Sequence, residues 1–312
     1  MTWISFAILG YFCNAVSQLL DKVILTEKHI PQPAVYAFYV SLFSLFSLFF
    51  APFGFSLIPG YFLVIFLLSG MMFILGLLAF YYAVKVGNVA RIAPLVGLIT
   101  SITVLMAGGL IPSAFGEVVF SAQVWLALVL LVVGGILISY DLPLRRTDRL
   151  PLTAILAGFL LGVSLLLLKY GYGQTDFING LVWSRIGMVL TGLSFLLIPI
   201  YRKQILVHHE PKKMKTKASM VTLALFVFNK STAGVASFLI LYATNLGSVS
   251  FVQALNGTQY VFLLLLAIPI SLRFPHIFGE HLSVWDWAQK VFALILIGLG
   301  FWFMGLSGIN TF

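Results

Sequence analysis

Long apolar stretches, separated by short polar segments, make up most of the 312-residue chain. A helix of about 20 mostly apolar residues is long enough to cross the hydrocarbon core of a membrane. None of the stretches shows the alternation of a membrane β-strand, and backbone polar groups cannot stay unpaired in lipid, so helices are predicted. The ten predicted spans are 2–20, 34–51, 61–83, 89–111, 122–140, 152–170, 178–200, 219–243, 248–270 and 286–308.

The composition indicates that lipid is the main solvent of this chain. Hydrophobic residues make up 61% of it and charged residues only 9%, whereas charged residues make up about 25% of an average soluble domain. So few charges cannot cover the surface of a soluble enzyme. The net charge of +9 arises in short segments between apolar stretches, without a basic face interleaved with aromatic residues. No nucleic-acid partner is therefore predicted.

The distribution of lysine and arginine predicts the orientation in the membrane. With ten spans, the segments that follow the odd-numbered spans lie on one side, and that side carries fourteen of the 18 basic residues. Basic segments are retained in the cytoplasm. The chain is therefore predicted to be a multi-pass protein of the inner cell membrane with both termini extracytoplasmic.

The chain contains an internal repeat. Identical residues recur at a shift of 147 positions early in each half and at a shift of 160 further on. The matches include Ala7-Ile8-Leu9 with Ala154-Ile155-Leu156, Lys22 with Lys169, Tyr82-Ala83 with Tyr242-Ala243, and Gly97 with Gly257. The predicted domains are two five-span repeats, 1–141 and 151–312. Because five is odd, the second repeat is inverted, an arrangement typical of secondary transporters.

The repeat carries motifs of a known family. A lysine ends the first helix of each half (Lys22, Lys169), and Gly-Glu follows the fourth (Glu117, Glu280). In this order the motifs resemble the EamA family of the drug/metabolite transporter superfamily, and Arg185 matches an arginine in the second helix of that repeat. The resemblance covers nearly the whole chain. It implies a ten-helix bundle with a central cavity, which exports amino acids or other small metabolites.

Arg185 and Lys230 lie deep inside predicted spans, where no carboxylate accompanies them. All nine acidic residues fall at span ends or between spans. Lys230 lies near the middle of the eighth span, and Arg185 lies about seven residues into the seventh. A charge at such depth costs at least about 2.5 kcal/mol and usually faces a wet cavity or a partner. A carboxylate or phosphate on the substrate is the predicted complement; pairing with backbone carbonyls or snorkelling is the alternative.

Neutral polar and aromatic residues are predicted to line the substrate site together with these two cations. On the first span, Asn14 and Gln18 are one helical turn apart and share a face. The other candidates are Tyr81, Trp183, Asn229, Gln253, Asn256, Gln259 and Tyr260. For each of them, an interhelical hydrogen bond that stabilises the bundle is the alternative. No catalytic residue, metal site or cofactor is predicted.

The favoured function is that of a secondary transporter, specifically an exporter, of a small anionic or zwitterionic metabolite such as an amino acid. Exchange of phosphorylated metabolites or nucleotide sugars is an alternative within transport. An intramembrane enzyme that acts on lipid-linked substrates is an alternative of another class. It would need an acid/base pair at one depth, and no histidine or carboxylate is placed for it. The predicted partners are the small-molecule substrate and the bilayer, and the oligomeric state is left open, with a monomer as one option.

Overall fold

The computed structural model describes residues 2–25, 32–86, 89–111, 113, 121–139, 152–207, 217–273 and 284–306. All regular structure in these residues is helical. The α-helices are α1 (Thr2–Leu25), α2 (Pro33–Phe43), α3 (Gly60–Val86), α4 (Val89–Leu110), α5 (Ala122–Ser139), α6 (Leu152–Tyr172), α7 (Phe177–Ser194), α8 (Pro199–Val207), α9 (Lys217–Leu246), α10 (Val249–Ala254), α11 (Asn256–Arg273) and α12 (Val284–Leu306). The all-α prediction is confirmed.

Several helices are suited to cross a membrane. Within the described residues, five segments are long and apolar enough: Trp3–Leu20, Pro33–Phe53, Gly60–Lys85, Leu152–Tyr172 and Phe177–Leu197. Large apolar side chains on these segments are exposed, with Phe46 and Phe49 each at 75%. An exposed apolar surface of this kind is compatible with lipid and costly in water. The fold is that of an all-α, multi-pass membrane protein.

The second and seventh predicted spans are shorter α-helices than expected. A 3₁₀-helix over Ser44–Phe53 follows α2, and another over Phe195–Leu197 follows α7. The Ser41 hydroxyl donates to the Phe38 carbonyl and the Ser44 hydroxyl to the Ser41 carbonyl, each over 2.6 Å. Such local bonds compete with the regular helical pattern. After α7, α8 begins at Pro199, inside the seventh predicted span, and continues past the predicted end at residue 200 to Val207. Proline is favoured at the first position of a helix.

The ninth predicted span, 248–270, is interrupted at Leu255, which separates α10 from α11. Side chains bind the backbone at this point. The Tyr11 hydroxyl donates to the Val252 carbonyl over 2.7 Å, and the Thr258 hydroxyl donates to the Leu255 carbonyl over 2.7 Å. Carbonyl groups near an interrupted transmembrane helix need such partners because lipid supplies none.

The helices form two compact units, each of which contains parts of both halves of the chain. Unit A comprises Met1–Ile30, Phe120–Arg145 and Pro211–Phe312, and unit B comprises Pro31–Val119 and Arg146–Glu210. In unit A, α1 packs against α9 and α11, and α5 packs against α11 and α12. In unit B, α6 packs against α3 and α4, and α7 packs against α2 and α3. The sequence repeats, 1–141 and 151–312, stay a prediction.

Part of the family resemblance rests on residues that the structure does not describe. Glu117 and Glu280, with the glycines before them, lie outside the described residues. Lys22 belongs to the last turn of α1, and Lys169 lies in the last turn of α6. The expected equivalence of the two Gly-Glu motifs therefore stays a prediction.

Glycine brings helix backbones into contact in both units. In unit B, a Cβ atom on Gly187 would lie 2.5 Å from the Leu67 carbonyl oxygen, and one on Gly70 would overlap the Ser184 carbonyl oxygen. In unit A, a Cβ atom on Gly135 would lie 2.8 Å from the Cα atom of Gly257. The absence of a side chain at these crossings lets α3 meet α7 and lets α5 meet α11 at close range.

Candidate functional site

An amide pair joins α1 to α11 inside unit A. The Asn14 side-chain nitrogen donates to Gln259 Oε1 over 2.6 Å, and Gln259 is only 2% exposed. Asn14 lies about 18 Å from the start of α1 at 1.5 Å per residue, which is near the middle of a membrane-spanning helix. A buried hydrogen bond between two amides thus lies at mid-span. This is the interhelical bond that was the alternative to substrate lining, and the substrate-lining role of both residues stays a prediction.

A second polar contact lies one turn further along α1. The Ser17 hydroxyl donates to Asn229 Oδ1 over 2.6 Å, and Asn229 is fully buried on α9. Lys230 follows Asn229 and is partly buried, as is Gln18 beside Ser17. The structure therefore connects Asn229 to α1 through a serine that the sequence analysis did not select.

The remaining candidates of unit A lie on the interrupted span. Gln253 on α10 is 6% exposed, whereas Asn256 and Tyr260 on α11 are partly buried. Tyr260 interacts electrostatically with Tyr11, the residue that binds the Val252 carbonyl next to the interruption. These three candidates thus lie on either side of the interruption at Leu255.

Arg185 is the charged candidate of unit B. Its Nη1 atom donates to the Met188 sulfur over 3.1 Å, and its guanidinium carbon lies 6.0 Å from the centroid of the Phe73 ring. Its backbone carbonyl accepts a hydrogen bond from the Ser44 hydroxyl over 3.4 Å. The guanidinium also interacts electrostatically with Tyr172 at the end of α6. These contacts connect α7 with α3, with α6 and with the 3₁₀-helix after α2.

Trp183 and Tyr81 are the aromatic candidates of unit B. The Trp183 indole nitrogen donates to the Ser56 carbonyl over 3.2 Å, and its ring lies 5.1 Å from that of Phe55. Asn179, one turn earlier on α7, accepts from the Ser56 amide over 2.8 Å. Tyr81 packs edge-to-face on Tyr36 at 4.6 Å. Trp183 thus binds the segment before α3. The substrate-lining role of Trp183 and Tyr81 stays a prediction.

Each unit contains an internal polar contact at positions that the repeat makes equivalent. At the shifts of 147 and 160, Ser17 aligns with Ser164, and Asn229 aligns with Ser69. Ser17 binds Asn229 in unit A, and the Ser69 hydroxyl donates to the Ser164 carbonyl over 2.9 Å in unit B. A polar contact that occurs at the same position in both units is what a duplicated scaffold predicts.

The amide pair has no such counterpart. At the same shifts, Asn14 aligns with Leu161 and Gln259 aligns with Ile99. Leu161 and Ile99 pack against one apolar cluster between α3, α4 and α6 in unit B. Equivalent helices therefore pack with apolar side chains in unit B and with a pair of amides in unit A.

No protein family and no curated protein matches this chain. The side chains of the described residues include no group of three histidines, cysteines or carboxylates that could hold a metal ion. The polar cluster of unit A offers amides and hydroxyls, and Lys230 follows one of its amides in the sequence. The polar cluster of unit B offers a guanidinium that interacts electrostatically with a phenol.

Four residues of these clusters were missed in the sequence: Tyr11, Ser17, Tyr172 and Asn179. Ser17 could have been found, because it lies three residues after Asn14 and so on the same helical face. Tyr11 lies one turn before Asn14 on that face. Tyr172 and Asn179 lie near helix ends, where tyrosine is common at a membrane interface and asparagine at a cap, so neither gave a distinguishing signal.

Proposed function

We propose that this protein is a secondary transporter of the EamA type, which exports a small anionic or zwitterionic metabolite such as an amino acid. Its ten spans form two inverted repeats, 1–141 and 151–312, and it lies in the inner cell membrane with both termini extracytoplasmic. Rocking of the repeats exposes the substrate alternately to the two sides of the membrane.

The observation that carries this proposal is the reciprocal packing of the helices. The first helix of the first half, α1, packs against α9 and α11 of the second half. The first helix of the second half, α6, packs against the equivalent helices α3 and α4 of the first half. The contacts of Ser17 with Asn229 and of Ser164 with Ser69 occur at matching positions of these crossings. Because the first helix of each half packs against equivalent helices of the other half, an inverted-repeat transporter is favoured over a bundle without a repeat.

The amide pair of unit A, which has apolar residues at the equivalent positions of unit B, supports a polar substrate. Leu161 and Ile99 show that the shared scaffold accepts apolar residues where unit A has Asn14 and Gln259. Amides at mid-span are costly in lipid unless they are paired. Polar groups at a place where packing does not require them favour a role in binding solute. Lys230 follows Asn229, whose side chain binds Ser17 one helical turn from Asn14.

Exchange of the amide pair for the residues of the other unit tests this role. We expect the double variant Asn14→Leu/Gln259→Ile to fold normally, because removal of both partners of a buried hydrogen bond is nearly neutral. The measurement is efflux of each of the twenty proteinogenic amino acids from preloaded proteoliposomes. We expect the efflux that the wild type supports to fall at least about tenfold, which corresponds to about 1.4 kcal/mol.

The single variant Gln259→Ile is the matched control for stability. It leaves the Asn14 amide without its partner, and we expect a loss of about 1–3 kcal/mol in stability. If the double variant transports as well as the wild type, the amide pair only holds α1 to α11, and the solute-binding role is wrong.

A further inference from the structure

Tyr172, the last residue of α6, has a tightly fixed aromatic ring in unit B. The side chain is only 7% exposed, and its ring lies 6.1 Å from that of Phe66 and 5.4 Å from that of Phe177. A Cβ atom on Gly180 would overlap the Tyr172 ring. Glycine at that position of α7 therefore leaves the space that the ring occupies.

The hydroxyl of this ring is buried without a hydrogen bond. Among the described residues, the Tyr172 oxygen has no hydrogen-bond partner. Buried polar groups are nearly always paired, so an unpaired one needs a specific reason. Tyr11 in unit A shows the usual case, because its buried hydroxyl donates to the Val252 carbonyl. The repeat also places Leu25 at the position of Tyr172, so the phenol is not part of the shared scaffold.

The charged neighbour of this hydroxyl is Arg185, with which it interacts electrostatically. A guanidinium has five N–H donors and no acceptor. The Tyr172 O–H group therefore cannot donate a hydrogen bond to Arg185. A ligand with acceptor oxygens would suit both the phenol and the guanidinium.

We propose that Tyr172 and Arg185 form a carboxylate-binding subsite in unit B. This inference rests on the proposed transport of an anionic or zwitterionic metabolite. The guanidinium fork matches the two oxygens of a carboxylate, and the phenol adds a third donor. Aromatic rings surround the subsite, so a singly charged carboxylate is favoured over a phosphate, which is close to doubly charged at neutral pH. Tyr172 is the residue that sets this preference.

The substitution Tyr172→Phe isolates the hydroxyl, because it keeps the ring and its contacts. The probes are the twenty proteinogenic amino acids, their carboxamide derivatives and inorganic phosphate, each titrated against the purified protein while the melting temperature is followed. We expect an amino acid to stabilise the wild type and its carboxamide to have no effect. We expect Tyr172→Phe to raise the Kd of that amino acid about tenfold or more, because hydrogen bonds to a charged group are the strong ones.

The ligand-free protein supplies a second readout that a merely structural tyrosine would not give. Removal of an unpaired hydroxyl is expected to leave the melting temperature of Tyr172→Phe unchanged or higher. The matched control is Thr100→Val, which removes a buried hydroxyl that donates to the Gly158 carbonyl where α4 meets α6, outside both polar clusters. It is expected to lower the melting temperature while changing the Kd less than about twofold. The wild type and Tyr172→Phe are also titrated with Lys230 replaced by glutamine, so that binding at Lys230 does not contribute to the measured Kd.

Three outcomes would overturn the inference: an unchanged Kd for Tyr172→Phe, stabilisation of the wild type by phosphate but by no amino acid, or stabilisation by none of the probes. Its failure is distinguishable from failure of the proposed function. If wild type and Tyr172→Phe release an amino acid from proteoliposomes equally well, transport stands and the subsite is wrong. If the wild type releases none, the proposed substrate class itself is wrong.

Discussion

Replacement of Lys230 by glutamine is expected to reduce transport at least about tenfold, or about 1.4 kcal/mol in binding terms, while expression stays normal. Lys230 follows Asn229, whose side chain binds α1 through Ser17 at mid-span. Its equivalent in the first half is Gly70, so a charge is not needed to fold the repeat. Glutamine keeps most of the length, removes the charge and eases insertion into the membrane.

The matched control for Lys230→Gln is Lys290→Gln. Lys290 lies on α12 of the same unit, is 5% exposed and belongs to neither polar cluster. Loss of its charge is expected to leave efflux from proteoliposomes close to that of the wild type. If Lys230→Gln transports as well as Lys290→Gln and the wild type, the anion does not bind Lys230, and this assignment is wrong.

Substitution of Gly70 by alanine is expected to destabilise unit B by about 3 kcal/mol or more, at the upper end of the usual cost of overpacking. The added methyl group would overlap the Ser184 carbonyl oxygen and lie 2.6 Å from the Met188 amide nitrogen. Both are backbone atoms of α7, so no side-chain rotation can relieve the clash. Separation of α3 from α7 would also displace Arg185, which contacts both helices.

Thermal denaturation in detergent measures this effect, with Gly298→Ala as the control. Gly298 lies on α12, and a Cβ atom there would meet no other atom within 4 Å. Alanine at such a helical position is expected to be neutral or to stabilise by about 0.5–1 kcal/mol. A melting temperature of Gly70→Ala equal to that of the wild type would show that α3 and α7 do not pack as closely as described.

The approximate positions of the long described helices could be predicted from hydrophobicity and length alone. Both properties act locally: an apolar stretch in lipid has to satisfy its own backbone groups, and helix formation does so. The interruption at Leu255 could not be predicted, because Tyr11 binds the Val252 carbonyl from a helix about 240 residues away. The 3₁₀ segment after α2 could not be predicted for a different reason, because an apolar stretch has the same hydrophobicity in either type of helix.

The candidate site was predictable in its residue types but not in its pairs. Asn14 and Gln259 were both selected from their depth, yet only packing shows that they bind each other. The sequence also could not show that each compact unit combines helices from both halves. Tyr172 gave no signal, because the property that singles it out is the missing partner of its hydroxyl. An absent partner becomes visible only when every neighbour has been placed.

The measurement that tests the proposed function most directly is counterflow in proteoliposomes. Vesicles that contain the purified protein are preloaded with each unlabelled amino acid, diluted into the same amino acid in labelled form, and the label inside is followed and identified chemically. We expect transient accumulation of at least one amino acid, chemically unchanged, which is weakened in Asn14→Leu/Gln259→Ile and absent from protein-free vesicles. Accumulation no greater than in protein-free vesicles for every amino acid, or recovery of a chemically altered compound, would contradict the proposal.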